Sequence, residues 1–278
     1  MRKLPFRQVD VFSATAFKGN PLAVIADAEG LDDAEMRAIA NWTNLSETTF
    51  LLRPENPSAD YRVRIFTPAR ELPFAGHPTL GTCHVFLALG NKPKGEHVVQ
   101  ECGAGLVRIK RDGARLAFAA PPLKRSGEVA PELRATIAKA LGIATDSIKA
   151  AQWADNGPGW VAVLLGSRDE LLKLRFDPGA LPDQSLGVVA PWDPARDGKD
   201  VQFEVRAFMS RGGEDPVTGS LNAGLAQWLI GAGIAPKRYV AAQGTVLGRA
   251  GRVHVAQDGD DIWIGGDVAE CVSGTISV

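Results

Sequence analysis

Cysteine is scarce: Cys83, Cys102 and Cys271 are the full set, odd in number and in no C-x-x-C pairing. That usage fits free thiols in a reducing cytoplasm better than a disulfide framework. Histidine is scarcer than it needs to be for metal binding. The four residues at 77, 84, 97 and 254 are scattered and form no H-x-x-x-H pair, so no metal is expected. Net charge is almost absent, at −1, which removes long-range attraction for nucleic acid or an anionic membrane. The short basic runs at 62–64 and 124–127 are too small to make a patch. The first twelve residues, MRKLPFRQVDVF, alternate and soon reach Asp10, so they read as neither a signal peptide nor a membrane span. The phosphate-cradling patterns G-x-x-x-x-G-K-[ST] and G-x-G-x-x-G do not occur, and nucleotide binding lacks support. A G-x-S-x-G elbow is likewise missing, which argues against a serine hydrolase.

What is present is ordinary globular material: 278 residues, 45% hydrophobic and 23% charged. That length implies two domains. FRQVDVF (6–12) alternates as a strand, followed by a turn at Lys18-Gly19-Asn20-Pro21 and a second apolar run. Residues 32–44 place Met36, Ile39, Ala40 and Thr43 on one helical face, with Asp32 or Asp33 as the cap. Ser46 and Glu47 then lead into a strand, and YRVRIFT (61–67) alternates as another. Ala119-Ala120-Pro121-Pro122 marks the change of domain. Beyond it come a helix at 131–142 closed by Gly142, a buried strand at 159–167 and an alternating strand at 201–208.

One phrase occurs twice. Residues 71–82 read ELPFAGHPTLGT and residues 214–225 read EDPVTGSLNAGL, sharing Glu, Pro, Gly and Gly in register. The likeness reaches upstream, where Val63-Arg64-Ile65-Phe66 precedes one copy and Val205-Arg206-Ala207-Phe208 the other. Two similar domains, each contributing one phrase, is the natural reading. After each phrase the sequence is apolar nearly all round, as for a helix enclosed by protein. His77 and Ser220 stand where helix caps belong, and Pro78 suits a first turn. Two readings of the phrase stay open. Each copy is a well-capped core helix, or each presents unpaired N–H groups and the positive dipole end to an anion. The duplication, with Asp215 beside the second copy, brings the second reading level with the first.

These residues together carry a resemblance. VDVFSATAFKGNPLAVI, NLSETTF, FTPARELPFAGHPTLGT and GEDPVTGSLNAGL resemble the PhzF-like family, named for a phenazine-biosynthesis isomerase, in order along essentially the whole chain. The resemblance implies the diaminopimelate-epimerase-like α/β (α+β) fold: two similar halves, each a curved sheet wrapped around a central helix, with a cleft between them. The expected halves are 1–119, with a C-terminal strand near 268–278 returning to it, and 120–267. By the same resemblance Glu47 is the general acid/base, and His77 and Asp215 are its polar partners near the reacting carbon. Ser46, Gly76, Gly219, Ser220 and Asn20 are ligand-binding positions. Related epimerases transfer protons with two cysteines, whose positions here are Ala75 and Thr218, so a two-thiol racemase is disfavoured. The implied protein is a cytoplasmic homodimer needing no cofactor, an isomerase or epimerase that moves a proton on a small carboxylated metabolite. A carboxylate partly shielded from water can both take and return such a proton near neutral pH. The alternative from another class is a non-catalytic protein that binds a small molecule in the same cleft.

Overall fold

The computed structural model describes residues 1–210 and 213–278, which divide into two units, Met1–Ala119 with Gly265–Val278, and Ala120–Ile264. The first begins with two antiparallel strands, β1 (Lys3–Val11) and β2 (Asn20–Ile25), followed by helix α1 (Asp33–Thr43). Then come β3 (Thr48–Leu52), β4 (Tyr61–Phe66), the short β5 (Glu71–Leu72) and α2 (Gly76–Ala88). β6 (Val98–Cys102), β7 (Gly105–Asp112) and β8 (Arg115–Ala119) complete the run. The C-terminal strand Val268–Ser277 pairs antiparallel with β1 along its whole length. The sheet order is therefore C-terminal strand, β1, β2, β3, β4, β6, β7, β8. Only β2/β3 and β4/β6 are parallel, and each parallel pair is bridged by a helix, as parallel strands require.

The two helices lie on opposite terms with this sheet. α1 is amphipathic and packs Met36 and Ala40 against Ile25, Phe50 and Phe66. Asp32 and Glu35 form a reciprocal capping box at its start. α2 touches β1, β2, β3, β4, β6, β8 and the C-terminal strand, so the sheet curls around it. Its residues from Gly76 through Cys83 are all buried, which is why no polar face survives in its sequence.

The second unit repeats the plan. Its elements are β9 (Arg125–Glu128), α3 (Pro131–Leu141), β10 (Ala150–Asp155), β11 (Trp160–Leu164), α4 (Arg168–Lys173) and β12 (Ser185–Pro191). β13 (Phe203–Phe208), β14 (Glu214–Asp215), α5 (Gly219–Gly231), β15 (Arg238–Gln243), β16 (Gly251–Asp258) and β17 (Asp261–Gly266) follow. The order β9, β10, β11, β12, β13, β15, β16 again has two parallel pairs, β11/β12 and β13/β15, each bridged by a helix. α5, 13 residues long like α2, packs on β10, β11 and β16. Among the described residues no helix is long and apolar enough to cross a membrane.

The register explains the repeated phrase. Phe66 pairs with Glu71 and Phe208 with Glu214, so the extra residue of the second copy is taken up in the hairpin loop. In both copies the arginine two residues before the phenylalanine grips the glutamate with two parallel bonds. Arg64 Nε and Nη2 donate to Glu71 at 2.8 and 2.6 Å, and Arg206 Nε and Nη2 to Glu214 at 2.9 and 2.7 Å. Each guanidinium also lies over the ring of its own phenylalanine, Phe66 or Phe208. The second shared glycine of each phrase, Gly81 or Gly224, sits where helix meets sheet. A Cβ at Gly81 would crowd Leu22 Cδ2 at 2.5 Å, and one at Gly224 would overlap the Ala154 carbonyl. Shared residues thus build the scaffold.

The caps differ from expectation. The N-caps of α2 and α5 are Ala75 and Thr218, neither making a side-chain cap bond, and His77 and Ser220 are each the second helical residue. The short strands β5 and β14 hold the chain close to β4 and β13, so Gly76 and Gly219 already enter the helix. This turns His77 and Ser220 away from capping.

Candidate functional site

In the first unit three of the expected residues come together. The chain between β1 and β2 passes so close to β1 that a Cβ on Gly19 would overlap the Val11 carbonyl oxygen. The Gly19 N–H donates to Asp10 Oδ2 at 3.1 Å, and Asp10 is itself buried. This sets Asn20 at the start of β2, fully buried, with its Nδ2 3.4 Å from His77 Nδ1. On the other side of the ring, His77 Nε2 is 3.3 Å from Glu47 Oε2. Glu47 is placed by the end of α1. Asn44 turns into the left-handed region (φ 53°) with its N–H on the Ala40 carbonyl, and the Thr43 and Thr48 hydroxyls meet at 2.7 Å across the connection. The Glu47 side chain is 15% exposed and that of His77 only 6%.

Burial pushes the His77 pKa down to about 3, so the imidazole is neutral at physiological pH. With the Asn20 amide donating to Nδ1, the ring proton resides on Nε2 and faces the Glu47 carboxylate. A buried neutral donor, a carboxylate and the first turn of α2 therefore share one corner. Pro78 has no N–H and Thr79 N–H already bonds Ala75 O, so the first turn offers the N–H groups of Gly76 and His77. Ser46 precedes Glu47 on the exposed turn.

In the second unit Asp215 lies on β14, and its Oδ2 accepts from Thr218 Oγ1 at 2.5 Å. Gln243, fully buried at the end of β15, organises this loop with its whole amide. Its Oε1 accepts from Thr218 N–H (3.0 Å) and Asn222 Nδ2 (2.9 Å), while its Nε2 donates to Thr218 Oγ1 (3.0 Å) and the Asp215 carbonyl (3.1 Å). Ser220 Oγ accepts from Trp160 Nε1 at 3.0 Å, and the Ser220 carbonyl from Asn156 Nδ2 at 2.8 Å. Gly219 is buried as the first residue of α5.

Asp10, Asn156, Trp160, Asn222 and Gln243 escaped sequence reasoning. Asn222 could have been found, as a polar residue in an otherwise enclosed helix. Gln243 could not, because its role depends on strand pairing between β13 and β15.

Comparison with known proteins agrees with this architecture. The model of the phenazine biosynthesis-like protein family matches residues 9–269. Antisense-enhancing sequence 1 of Schizosaccharomyces pombe is 35% identical over 99% of both chains. Trans-2,3-dihydro-3-hydroxyanthranilate isomerase of Pseudomonas fluorescens is 36% identical over 78% of this chain and 77% of that enzyme. The crystal structure of a phenazine biosynthesis protein of the PhzF family from Enterococcus faecalis superposes over the full length of both chains with a TM-score of 0.83 at 27% identity. The chain belongs to the phenazine biosynthesis-like (PhzC-PhzF) family of isomerases.

Proposed function

We propose that this protein is a cofactor-independent isomerase acting on a small carboxylated metabolite, with Glu47 as its single general acid/base. The observation that carries the reading is the Asn20–His77–Glu47 cluster, in which a partly buried carboxylate lies 3.3 Å from the ring of a buried neutral imidazole. Glu47 takes a proton from a carbon conjugated to the substrate carboxyl, forming a carboxylic acid and a dienolate. The acid proton exchanges with solvent while Glu47 holds it, and Glu47 then delivers a proton to another carbon, so a double bond migrates with no change in oxidation state. His77 Nε2–H and the first-turn N–H groups of α2 stabilise the negative charge that develops on oxygen. Asp215 is assigned the second polar contact near the reacting carbon, and Gly219, Ser220, Ser46 and Asn20 are assigned to substrate binding.

The substrate named for the Pseudomonas relative, trans-2,3-dihydro-3-hydroxyanthranilate, is the first to try. Turnover in deuterium oxide, followed by NMR, is expected to place one deuterium on product carbon. Glu47→Gln should slow both turnover and label uptake by about 10³-fold, the scale of a lost general acid/base. Parent-like exchange in that variant would remove Glu47 from its role. Binding of the substrate with no exchange at any pH would leave a small-molecule-binding protein instead.

A further inference from the structure

Ser220 is held from two sides by residues that have no polar equivalents in the first unit. Strand register aligns the two units: Phe66 with Phe208, Thr48 with Leu186, and Leu22 with Trp160. The same alignment places Val11 opposite Asn156, and the repeated phrase places His77 opposite Ser220. Where the first unit has apolar Leu22 and Val11, which pack against α2 at Gly81, the second has an indole N–H and a carboxamide. Both reach Ser220: Trp160 Nε1 to Oγ at 3.0 Å, and Asn156 Nδ2 to the carbonyl at 2.8 Å.

An indole nitrogen can only donate. Trp160 is 1% exposed and locked in β11, so Ser220 Oγ must serve as its acceptor. The hydroxyl proton is thereby turned away from Trp160, and among the described residues it donates to nothing. Asn156 is 9% exposed, and its Oδ1 is buried with no hydrogen-bond partner among the described residues. A buried acceptor left in that condition costs stability unless something donates to it; a carboxylate cannot, so this atom calls for a hydroxyl or amino group carried by the same ligand, while the Ser220 hydroxyl proton is left for an acceptor.

We propose that Trp160 is a positioning residue: its N–H fixes Ser220 Oγ as an acceptor, so that the serine hydroxyl is presented as a hydrogen-bond donor to the substrate carboxylate. This rests on the reading of the protein as an isomerase of a carboxylated metabolite. Without the indole donor the hydroxyl can turn toward backbone carbonyls of the loop before α5, and the donor is lost to the ligand.

The test is a double-mutant cycle with 3-hydroxyanthranilate as probe, its affinity measured by calorimetry. Trp160→Phe replaces the indole by a smaller phenyl ring, removing the N–H donor together with some packing, and is expected to weaken binding about fivefold; the S220A background separates the two losses. Ser220→Ala should weaken it about tenfold. In the S220A background, W160F should change affinity by less than about twofold, because Trp160 acts through the hydroxyl. Equal losses from W160F with and without the Ser220 hydroxyl, or no loss from it at all, overturn the proposal. Failure of the parent to bind the probe overturns it too. A second readout covers loss of folding in W160F: the indole N–H proton resonance of Trp160 should shift upfield in S220A, and an unmoved resonance also sinks the idea. Label exchange that fails while the cycle holds would count against the proposed reaction and leave this inference standing. Successful exchange with a flat cycle would do the reverse.

Discussion

His77 is a histidine whose burial decides its chemistry. Its folded pKa of about 3 lies below the ordinary value of 6.5, so the unfolded chain binds a proton that the folded chain refuses throughout that interval. Stability contributed this way is complete above pH 6.5 and is lost as pH falls toward 3, with a slope of up to about 1.4 kcal/mol per pH unit. Urea unfolding followed from pH 7 to pH 4 should therefore show a decline that is shallower by about one proton in His77→Asn. An identical pH slope in that variant would mean that His77 is charged in the fold. The two arginine clamps make a second contrast between single residues. Arg206 and Glu214 have side chains only 7% and 10% exposed, whereas Arg64 and Glu71 are 23% and 39% exposed. Arg206 also donates to the carbonyls of Leu171 and Leu174 at the end of α4. Arg206→Ala is thus expected to cost about 3–5 kcal/mol by leaving Glu214 unpaired in a dry place. Arg64→Ala should cost about 1 kcal/mol or less, since water screens and replaces the clamp. Chemical denaturation of both variants measures the difference.

At the scale of elements, the central helices are fixed by how closely they approach their sheets. Gly224→Ala places a methyl on the Ala154 carbonyl, a backbone atom that cannot swing aside, and Gly81→Ala places one against the flexible tip of Leu22. The expected loss is about 2–3 kcal/mol for Gly224→Ala and smaller for Gly81→Ala, read from thermal or urea midpoints. The second repeated glycine, Gly81 in one copy and Gly224 in the other, was visible in the sequence because close packing of helix on sheet favours the smallest residue there. The repeated Arg-x-Phe and Glu were visible for a similar reason, since the clamp depends on fixed register across a hairpin. The helix starts were misread by two residues. His77 and Ser220 have cap-forming side chains, yet the short strands β5 and β14 set the entry angle, and that pairing is tertiary information. Less legible still were Asp10 and Asp155, which hold the loop after the first strand of each pair. Asp10 accepts from Gly19 N–H, and Asp155 from the N–H groups of Gly157 and Gly159. Nothing around them in the sequence looks alike. Of the candidate site, Glu47, His77 and Asn20 could be named from short phrases, while the residues that aim Ser220 and brace Asp215 come from strands distant in sequence.

For the whole molecule, the two units are unequal in how the chain builds them. Ala120–Ile264 is one continuous stretch, whereas the first unit needs both Met1–Ala119 and Gly265–Val278. The C-terminal strand supplies the neighbour of β1 from Lys3 to Val11 and touches α2 as well. Ending the chain after Ile264 should therefore expose one edge of the sheet around α2. Hydrogen exchange in such a truncated protein is expected to rise across β1, β2 and α2 and to stay near the parent level across β10 to β13. Uniform protection in both regions would show that the strand is dispensable.

That discontinuity also sets how each unit must close. Ala120–Ile264 joins strands along one unbroken stretch, whereas the first unit closes by pairing Lys3 with Ser277 and Val11 with Val268, segments from opposite ends of the sequence. Contacts so remote along the chain carry a larger loop-closure entropy and form late in folding. The seam between β1 and the C-terminal strand is therefore expected to be the last part of the sheet around α2 to gain protection on refolding.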